Sequence, residues 1–341
     1  MLWPRPRPLR TSLSSLGHAL LAVAHFACTT PAPVVAPPPV AAPAPPAPPP
    51  PLVPAPAELP DPAPLAVIFH RELEVAVTAL AVERPPFAAA VTRDAVWMHE
   101  ARGWHEEKLP RAAQGGLMAV FYGRDERVRV VGGRDRESGS YLRWEPEGGF
   151  RAAPHELGKL AALPRPLVSV LGTADPEIVC QPGDTCLVKR RTGWRFLDAP
   201  ADLRWVTLGE GVGWAIAGKQ LLRLGDRWES VGPPGEWRVA DALFATGDRA
   251  WVVETTAQRV HTFDGVRWQT VASPVERPRA LWGPRGDALW LAGEGGLGFF
   301  DGQVWRRVAD APAPFSAVAG RGEGEVWVGG DRGLFRIDPR R

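Results

Sequence analysis

Residues 279–312, RALWGPRGDALWLAGEGGLGFFDGQVWRRVADAP, contain four short apolar runs separated by turn-forming residues. The runs RALW, ALWLAG, LGFF and VWRRV are rich in aromatic and branched side chains. Such short runs, bounded by glycine, proline and aspartate, favour β-strands joined by tight turns. The stretch therefore predicts one four-stranded antiparallel sheet.

The same pattern recurs along most of the chain. Its aromatic positions are Trp104, Phe150, Trp194, Trp228, Trp268 and Trp305, separated by 46, 44, 34, 40 and 37 residues. A repeat of about forty residues with four strands is the period of a β-propeller blade. Seven units follow, at residues 73–110, 115–157, 166–200, 203–234, 239–274, 279–312 and 315–341.

The seventh unit ends after three strands, which leaves one strand missing. Leu65–Glu72, LAVIFHRE, precedes the first unit and has no other partner. We expect this segment to complete the last blade by antiparallel pairing, because a closed ring leaves no long unpaired edge. The predicted fold class is all-β, a seven-bladed propeller of four-stranded antiparallel blades. The repeated tryptophans are predicted to fill the space between blades.

The last units also resemble the propeller repeats of sensor ectodomains in two-component regulators. The resemblance is carried by GEVWVGG at 324–330 and GLFRID at 333–338, and more loosely by Ala288–Phe300. It covers about three of the seven units and implies the fold. Because no kinase or other signalling domain follows these repeats, the resemblance does not imply signalling.

Residues 1–28 have the pattern of a targeting segment. Three arginines precede the apolar run LGHALLAVAHFA, which ends at Cys28 and is too short to span a bilayer. This arrangement resembles a bacterial lipoprotein signal, in which the cysteine becomes N-terminal and acylated. Cleavage as a simple secretory signal after Ala24 is the alternative. The expected location is therefore the cell envelope, on its periplasmic or outer face, or the exterior if the chain is secreted.

Residues 29–64 are predicted to form a disordered tether, and residues 65–341 the propeller. The segment 31–64 contains 17 prolines, which exclude helix and sheet and favour an extended spacer on the order of 100 Å long. Further along, Cys180 and Cys186 bracket the turn-forming string QPGDT. If the flanking runs pair as a hairpin, the two thiols face each other closely enough for a disulfide. The alternative is two unrelated buried thiols.

The charge balance argues against nucleic-acid binding. The formal net charge is +2, and the targeting segment holds three arginines and no acidic residue, so the remaining chain is nearly neutral. A nucleic-acid-binding domain usually carries a clear basic excess. We therefore expect no nucleic-acid partner. We further expect a monomer without cofactors, which contacts the membrane only through its lipid anchor.

Enzyme signatures are weak in this sequence. Asp264 and Asp301 open DGVRW and DGQVW, which come close to a sialidase-type box but lack its spacer and are better explained as tight turns. A metal site needs converging ligands, whereas the histidines are scattered. Those outside the targeting segment are His70, His99, His105, His155 and His261. No catalytic residue and no metal ligand is predicted.

The predicted function is non-catalytic binding or scaffolding through loops that a rigid propeller presents to a protein or small ligand. The candidate ligand-binding residues lie in loops and hairpins: Arg134, Arg136, Trp237, Arg277, Arg279 and Arg332. Arginine suits a carboxylate, a phosphate or an acidic protein patch, and a loop tryptophan can anchor a contact. The alternatives are a propeller hydrolase or lyase acting on a sugar or lactone, and an assembly factor with a large exposed apolar patch.

Overall fold

A computed structural model describes residues 63–84, 87–111, 117–122, 127–132, 140–152, 178–180, 183, 185–190, 193–209, 212–232, 240–322 and 324–339. The regular elements in these ranges are β-strands, which confirms the predicted all-β class. Within these residues, no helix is both long and apolar enough to cross a bilayer. Cys28, Arg134, Arg136, Trp237 and His155 lie outside the described residues.

The strands are numbered in chain order. Their bounds are β1 Val67–Leu73, β2 Ala79–Arg84, β3 Phe87–Val91, β4 Ala95–Glu100, β5 Gly103–Lys108, β6 Leu117–Tyr122, β7 Val128–Gly132, β8 Ser140–Glu145, β9 Gly149–Ala152, β10 Ile178–Cys180, β11 Thr185–Arg190, β12 Gly193–Asp198, β13 Leu203–Gly209 and β14 Val212–Ala217. The remainder are β15 Gln220–Leu224, β16 Trp228–Ser230, β17 Ala242–Thr246, β18 Arg249–Glu254, β19 Arg259–Phe263, β20 Trp268–Ala272, β21 Pro278–Arg285, β22 Ala288–Gly293, β23 Gly296–Phe300, β24 Trp305–Arg307, β25 Ala317–Arg321, β26 Glu325–Gly330 and β27 Gly333–Pro339.

The described strands pair into seven antiparallel sheets, six with four strands and one with three. Numbered in chain order, they are sheet 1 (β2–β5), sheet 2 (β6–β9), sheet 3 (β10–β12), sheet 4 (β13–β16), sheet 5 (β17–β20), sheet 6 (β21–β24) and sheet 7 (β25–β27 with β1). Each of sheets 1 to 6 contains strands consecutive in the chain. In sheet 3, the first strand of the predicted unit lies outside the described residues.

The N-terminal strand β1 belongs to the sheet formed by the C-terminal strands. It pairs antiparallel with β27, with Phe69 opposite Ile337 and Val67 opposite Pro339. Strand β1 ends at Leu73, which is the first residue of the predicted first unit. Before β1, Leu65 makes a parallel bridge to Val308, the residue that directly follows the last strand of sheet 6. The N-terminal segment thus hydrogen-bonds to two neighbouring sheets.

The core is divided among the spaces between neighbouring sheets. Apolar clusters lie between sheets 1 and 2, 3 and 4, 4 and 5, 5 and 6, 6 and 7, and 7 and 1. The largest fully buried side chain is Trp214, between sheets 4 and 5. Because side chains of a strand alternate between faces, sheets 1, 4, 5, 6 and 7 each supply apolar residues to two neighbours.

Tryptophans at the start of outer strands pack against these clusters, as the sequence predicted. They are Trp104, Trp228, Trp268 and Trp305, each partly buried. The outer strands are otherwise the most exposed parts of their sheets, as in β20, where four of five residues are exposed. An indole at this position covers the wide outer end of the space between two sheets.

The predicted disulfide between Cys180 and Cys186 is present. The two residues lie directly opposite each other on β10 and β11, and both are fully buried in the core between sheets 3 and 4. Disulfides persist in oxidising compartments, so this bond indicates an exported protein.

Candidate functional site

The candidate site lies at one end of sheets 5 and 6. In an antiparallel sheet of four strands, the loop that enters the first strand and the turn between the second and third strands lie at the same end. For sheet 6 these are residues 273–277 and the turn Glu294–Gly295. We call this end of the sheets the loop face.

Two of the arginines singled out in the sequence meet at this loop face. The Arg277 Nη1 atom lies 3.1 Å from the Glu294 Oε2 atom, and Arg279 pairs with Oε1 of the same carboxylate. The arginine side chains are 62% and 47% exposed. Since exposed ion pairs contribute little free energy, both guanidinium groups can exchange this carboxylate for another anion.

The loop carrying Arg277 is held on both sides by hydrogen bonds. The backbone N–H of Ser273 donates to the Gln258 carbonyl at 2.8 Å, and the N–H of Gly295 donates to the Glu276 carbonyl at 3.1 Å. The Arg307 Nη2 atom donates to the Gly295 carbonyl at 2.9 Å. Arg307 was not singled out in the sequence, because nothing in its strand marks it as supporting a neighbouring turn.

Two side-chain-bearing residues at this position have left-handed backbone conformations. Gln258 has φ of 52° and Arg277 has φ of 44°. Such conformations are costly for residues other than glycine, and they persist where the surrounding contacts impose them. The arginine is thus presented by a fixed loop, so little conformational entropy is lost when a ligand binds.

Arg332 belongs to a different sheet and lies in the turn between β26 and β27 of sheet 7. Its carbonyl accepts a hydrogen bond from Arg71 Nη2 at 3.0 Å, and Arg71 also pairs with Glu74 at 3.1 Å. The structure therefore brings Arg277 and Arg279 together and places Arg332 with β1.

The two Asp-Gly segments form tight turns, as the sequence indicated. The Asp264 carboxylate accepts hydrogen bonds from the N–H groups of Val266 and Arg267 at 2.8 and 2.6 Å. These bonds lower the pKa of Asp264 from its usual value. Gly265 has φ of 101°, a conformation that favours glycine. Asp301 accepts the equivalent pair of bonds, both at 3.0 Å, so both carboxylates act as turn caps.

The histidines that the structure describes lie in different surroundings. His99 packs against the rings of Trp104 and Trp327, with centroids 5.0 and 6.1 Å away. His105 Nε2 lies 3.9 Å from a Glu107 carboxylate oxygen, and His70 is exposed. Over the part of the chain that the structure describes, no three potential metal ligands converge.

Three polar side chains are linked by hydrogen bonds between sheets 4 and 5, and the sequence analysis did not predict them. Glu254 and His261 are 3% and 4% exposed, and Glu254 Oε2 lies 3.2 Å from His261 Nε2. The other ring nitrogen, Nδ1, lies 2.9 Å from the hydroxyl oxygen of Thr270. The available signal was strand alternation, which places Glu254 on the same face as the buried Val252.

Stability should depend on pH through this histidine. Burial lowers the pKa of His261 below its ordinary value of about 6.5, while the hydrogen bond and charge of Glu254 oppose that shift. The unfolded chain therefore binds the proton more readily. The stability contributed by neutral His261 is complete above about pH 6.5 and declines as pH falls below it.

We expect His261→Gln, which keeps hydrogen-bonding groups but cannot titrate in this range, to flatten the dependence of stability on pH between 8 and 5. Urea unfolding at each pH measures the free energy of unfolding of both proteins. His70→Gln, at an exposed position, is the control and should follow the parent curve. Parallel curves for the parent and His261→Gln would contradict the assignment.

The overall fold matches solved β-propeller structures. Virginiamycin B lyase from Staphylococcus aureus is 12% identical, and the match covers 80% of this chain and 98% of that chain with a TM-score of 0.59. YCF48 from Cyanidioschyzon merolae is 16% identical, with 79% and 98% covered and a TM-score of 0.59. Another YCF48 structure, 16% identical, contains a bound D1 peptide; the match covers 81% of this chain and 97% of that chain, with a TM-score of 0.59.

The resemblance to sensor ectodomains extends to the fold. The extracellular domain of the hybrid two-component system BT3049 from B. thetaiotaomicron is 12% identical, and the match has a TM-score of 0.56. It covers 80% of this chain and 41% of that one. No protein-family model and no curated protein matches the sequence. The fold therefore places the protein in the class of β-propeller repeat proteins. Sequence identities this low support the fold and say nothing about function.

Proposed function

We propose that this chain is a seven-bladed propeller that binds an anionic protein segment or small ligand without catalysis, at the loop face of sheets 5 and 6. The observation that carries the proposal is the shared carboxylate. Arg277 and Arg279 both pair with Glu294, so two positive charges face one negative charge on a fixed loop. A second carboxylate bound between the guanidinium groups restores the balance. The bound D1 peptide of YCF48 supports peptide binding by this kind of fold.

The architecture that presents the site is a closed ring of seven blades. The six described cores link sheets 3, 4, 5, 6, 7, 1 and 2 in that order, which supports the proposed ring. Packing of sheet 2 against sheet 3, which would complete the circle, is part of the proposal. The pairing of β1 with β27 joins the two ends of the folded region. A closed ring is rigid, which favours presentation of loops over large movements.

The chain is displayed at a bacterial envelope through the acylated Cys28 and the proline-rich tether. The disulfide supports export, since it needs an oxidising compartment. Labelled fatty acid should be incorporated into the parent protein and not into Cys28→Ala. Equal labelling of both proteins would exclude lipidation at Cys28. Secretion after simple signal cleavage would then be the remaining explanation of export.

Binding can be tested with an acidic probe peptide. A capped peptide of alternating aspartate and glycine should bind the full chain, and the Arg277→Ala, Arg279→Ala double variant should bind it about tenfold to a hundredfold more weakly. That range corresponds to the loss of charge-assisted hydrogen bonds. Isothermal titration calorimetry at two salt concentrations measures the affinity and its electrostatic part.

The matched control is Arg285→Ala combined with Arg306→Ala. These arginines belong to the same sheet, pair with Asp287 and Asp301, and lie at the opposite end from the loop face. The control removes the same net charge and should retain the parent affinity. Equal weakening in both double variants, or equal affinity for the asparagine version of the peptide, would argue against a specific site.

A lyase is the second candidate, favoured by the structural similarity to streptogramin B lyase, which has a TM-score of 0.60 over 80% of this chain and 98% of that chain at 12% identity. An enzyme needs carboxylates or histidines that converge at one point. Turnover of a lactone substrate by the full chain, unaffected by loss of Arg277 and Arg279, would support this candidate over binding.

A further inference from the structure

Strand β20, Trp268–Ala272, is the outermost strand of sheet 5. It pairs with β19 along one edge, and four of its five residues are exposed. An outer strand presents backbone N–H and C=O groups along its other edge, and an extended chain can pair with them as an added strand. Proteins protect such edges with charged side chains, among other means. The protection of β20 therefore determines whether it can accept a partner.

Strand β20 has the sequence WQTVA and no charged side chain. Each of the other six outer strands that the structure describes has at least one. These include Arg71 in β1, Lys108 in β5, Arg151 in β9, Arg195 in β12, Glu229 in β16 and Arg306 in β24. Val271 of β20 is also exposed, at 44%. Among the described outer strands, β20 thus has the least protection against an added strand.

Two backbone hydrogen bonds show which groups of β20 point toward β19. The Ser273 N–H donates to the Gln258 carbonyl at 2.8 Å, and the Asp264 N–H donates to the Arg267 carbonyl at 3.1 Å. Both bonds continue the register of the β19–β20 pairs, one at each end of the ladder. Hydrogen-bonded and non-hydrogen-bonded pairs alternate along an antiparallel ladder. The odd-numbered residues of β20 therefore bond to β19 through their backbone.

The backbone N–H and C=O groups of Thr270 and Ala272 consequently point away from β19. Both residues are exposed. The Thr270 hydroxyl oxygen lies 2.9 Å from the Nδ1 atom of the buried His261, and this contact holds the middle of the strand on the sheet. The edge is therefore preformed, and a partner that pairs with it orders few additional groups of this chain.

Exposed arginines flank this edge. Arg267 directly precedes β20, and Arg259 of β19 lies opposite Ala272. Opposite residues share a face and strands lie about 4.8 Å apart, so the Arg259 side chain can extend over the small Ala272 toward an added strand. The carboxylates beside these arginines act within the protein, since Asp264 caps its turn and Glu254 is buried. The flanks of β20 thus favour a partner with acidic ends.

We propose that β20 binds an extended peptide segment with acidic ends, which joins sheet 5 as a fifth strand. Backbone groups of the segment pair with those of Thr270 and Ala272, and its terminal carboxylates face Arg267 and Arg259. Valine and threonine between the acidic ends suit a pleated, half-exposed surface. This interaction uses the outer edge of sheet 5 and does not depend on the arginine pair of the loop face.

The probe is the capped peptide Glu-Thr-Val-Thr-Val-Glu, added to the full chain and followed by isothermal titration calorimetry. N-methylation of alternate residues removes the donors along one edge of the bound peptide. Methylation of the residues whose N–H groups face β20 should weaken binding at least tenfold, whereas methylation in the other frame should leave the affinity close to that of the parent peptide. Amide hydrogen exchange at Thr270 and Ala272, measured by NMR, should slow in the complex.

Two variants test the protein side of the contact. Ala272→Pro removes one outward N–H group at an edge position that tolerates proline, and should weaken binding about threefold to tenfold with little change in the unfolding midpoint. Arg267→Gln leaves the backbone intact and should weaken binding about threefold. Arg102→Gln, at an exposed arginine in the turn between β4 and β5, is the matched control and should keep the parent affinity.

Equal binding of the two N-methylated peptides, or equal affinity of Arg267→Gln and Arg102→Gln, overturns the proposal. Binding lost only with Arg277 and Arg279 places the peptide at the loop face, which overturns the strand addition and leaves the proposed function standing. A concentration-dependent dimer that Ala272→Pro abolishes, detected by analytical ultracentrifugation, assigns the edge to a second copy of this chain and also overturns the proposal.

Discussion

Deleting residues 63–73, which removes strand β1, is expected to abolish cooperative folding of the whole propeller. Phe69 packs between the rings of Phe315 and Phe335, with centroids 6.3 Å away in both cases. Val67 packs against the same core, and Leu73 is buried in the core between sheets 7 and 1. Full burial of side chains of this kind stabilises by about 1.5–3 kcal/mol each.

Leu73 is buried whereas Val67 and Phe69 are partly buried, so the sum over these three residues lies near the lower bound, about 4–5 kcal/mol. That sum is comparable with the stability of a marginally stable domain. The deletion also uncovers the edge of β27, whose free N–H and C=O groups can pair with other molecules. We therefore expect an aggregating protein without a sharp thermal transition, measured by circular dichroism and size-exclusion chromatography.

The control for this experiment is deletion of residues 40–50, a stretch of equal length in the proline-rich segment. That deletion should leave the unfolding midpoint unchanged. A β1-deleted protein that remains monomeric and unfolds at the parent midpoint would show that β1 contributes no stability. That result would remove the main support for the proposed closure of the ring.

Replacing Trp214 with alanine is expected to lower the free energy of unfolding by about 3–5 kcal/mol. The side chain is fully buried between sheets 4 and 5. Its indole N–H donates to the Gly247 carbonyl at 3.0 Å, and its ring contacts that of Phe263 with centroids 6.1 Å apart. Alanine would leave a cavity and an unpaired carbonyl at once.

The Trp214→Phe variant separates packing from hydrogen bonding. Phenylalanine fills most of the space but leaves the Gly247 carbonyl without its donor, at a cost of about 1–3 kcal/mol. Trp104→Phe is the matched control, because the buried indole N–H of Trp104 has no hydrogen-bond partner in the structure. Unfolding in guanidinium chloride should show a smaller loss of unfolding free energy for Trp104→Phe than for Trp214→Phe. Equal losses in the two variants would contradict a stabilising role for the Trp214 hydrogen bond.

Local chemistry made much of the fold predictable. The turn role of Asp264 and Asp301 follows from the Asp-Gly pairs, and the disulfide follows from two cysteines that flank a turn-forming string. The unpaired segment before the first unit likewise indicated a partner for the last strand, and β1 does pair with β27. In each case, neighbours within a few residues, or a count of strands, contain the needed information.

Tertiary structure alone decided which charges meet. Nothing near Arg277 and Arg279 indicates that Glu294, a residue from a different turn, would be their shared partner. The register that aligns Arg129 with Arg143 and Arg151 is equally invisible, because a shift of one residue would turn these side chains to the other face. Sequence periodicity determined that this protein is an all-β repeat protein of the propeller type. Its charge clusters came from strand register and sheet packing, since electrostatic interactions depend on distances that only the folded chain sets.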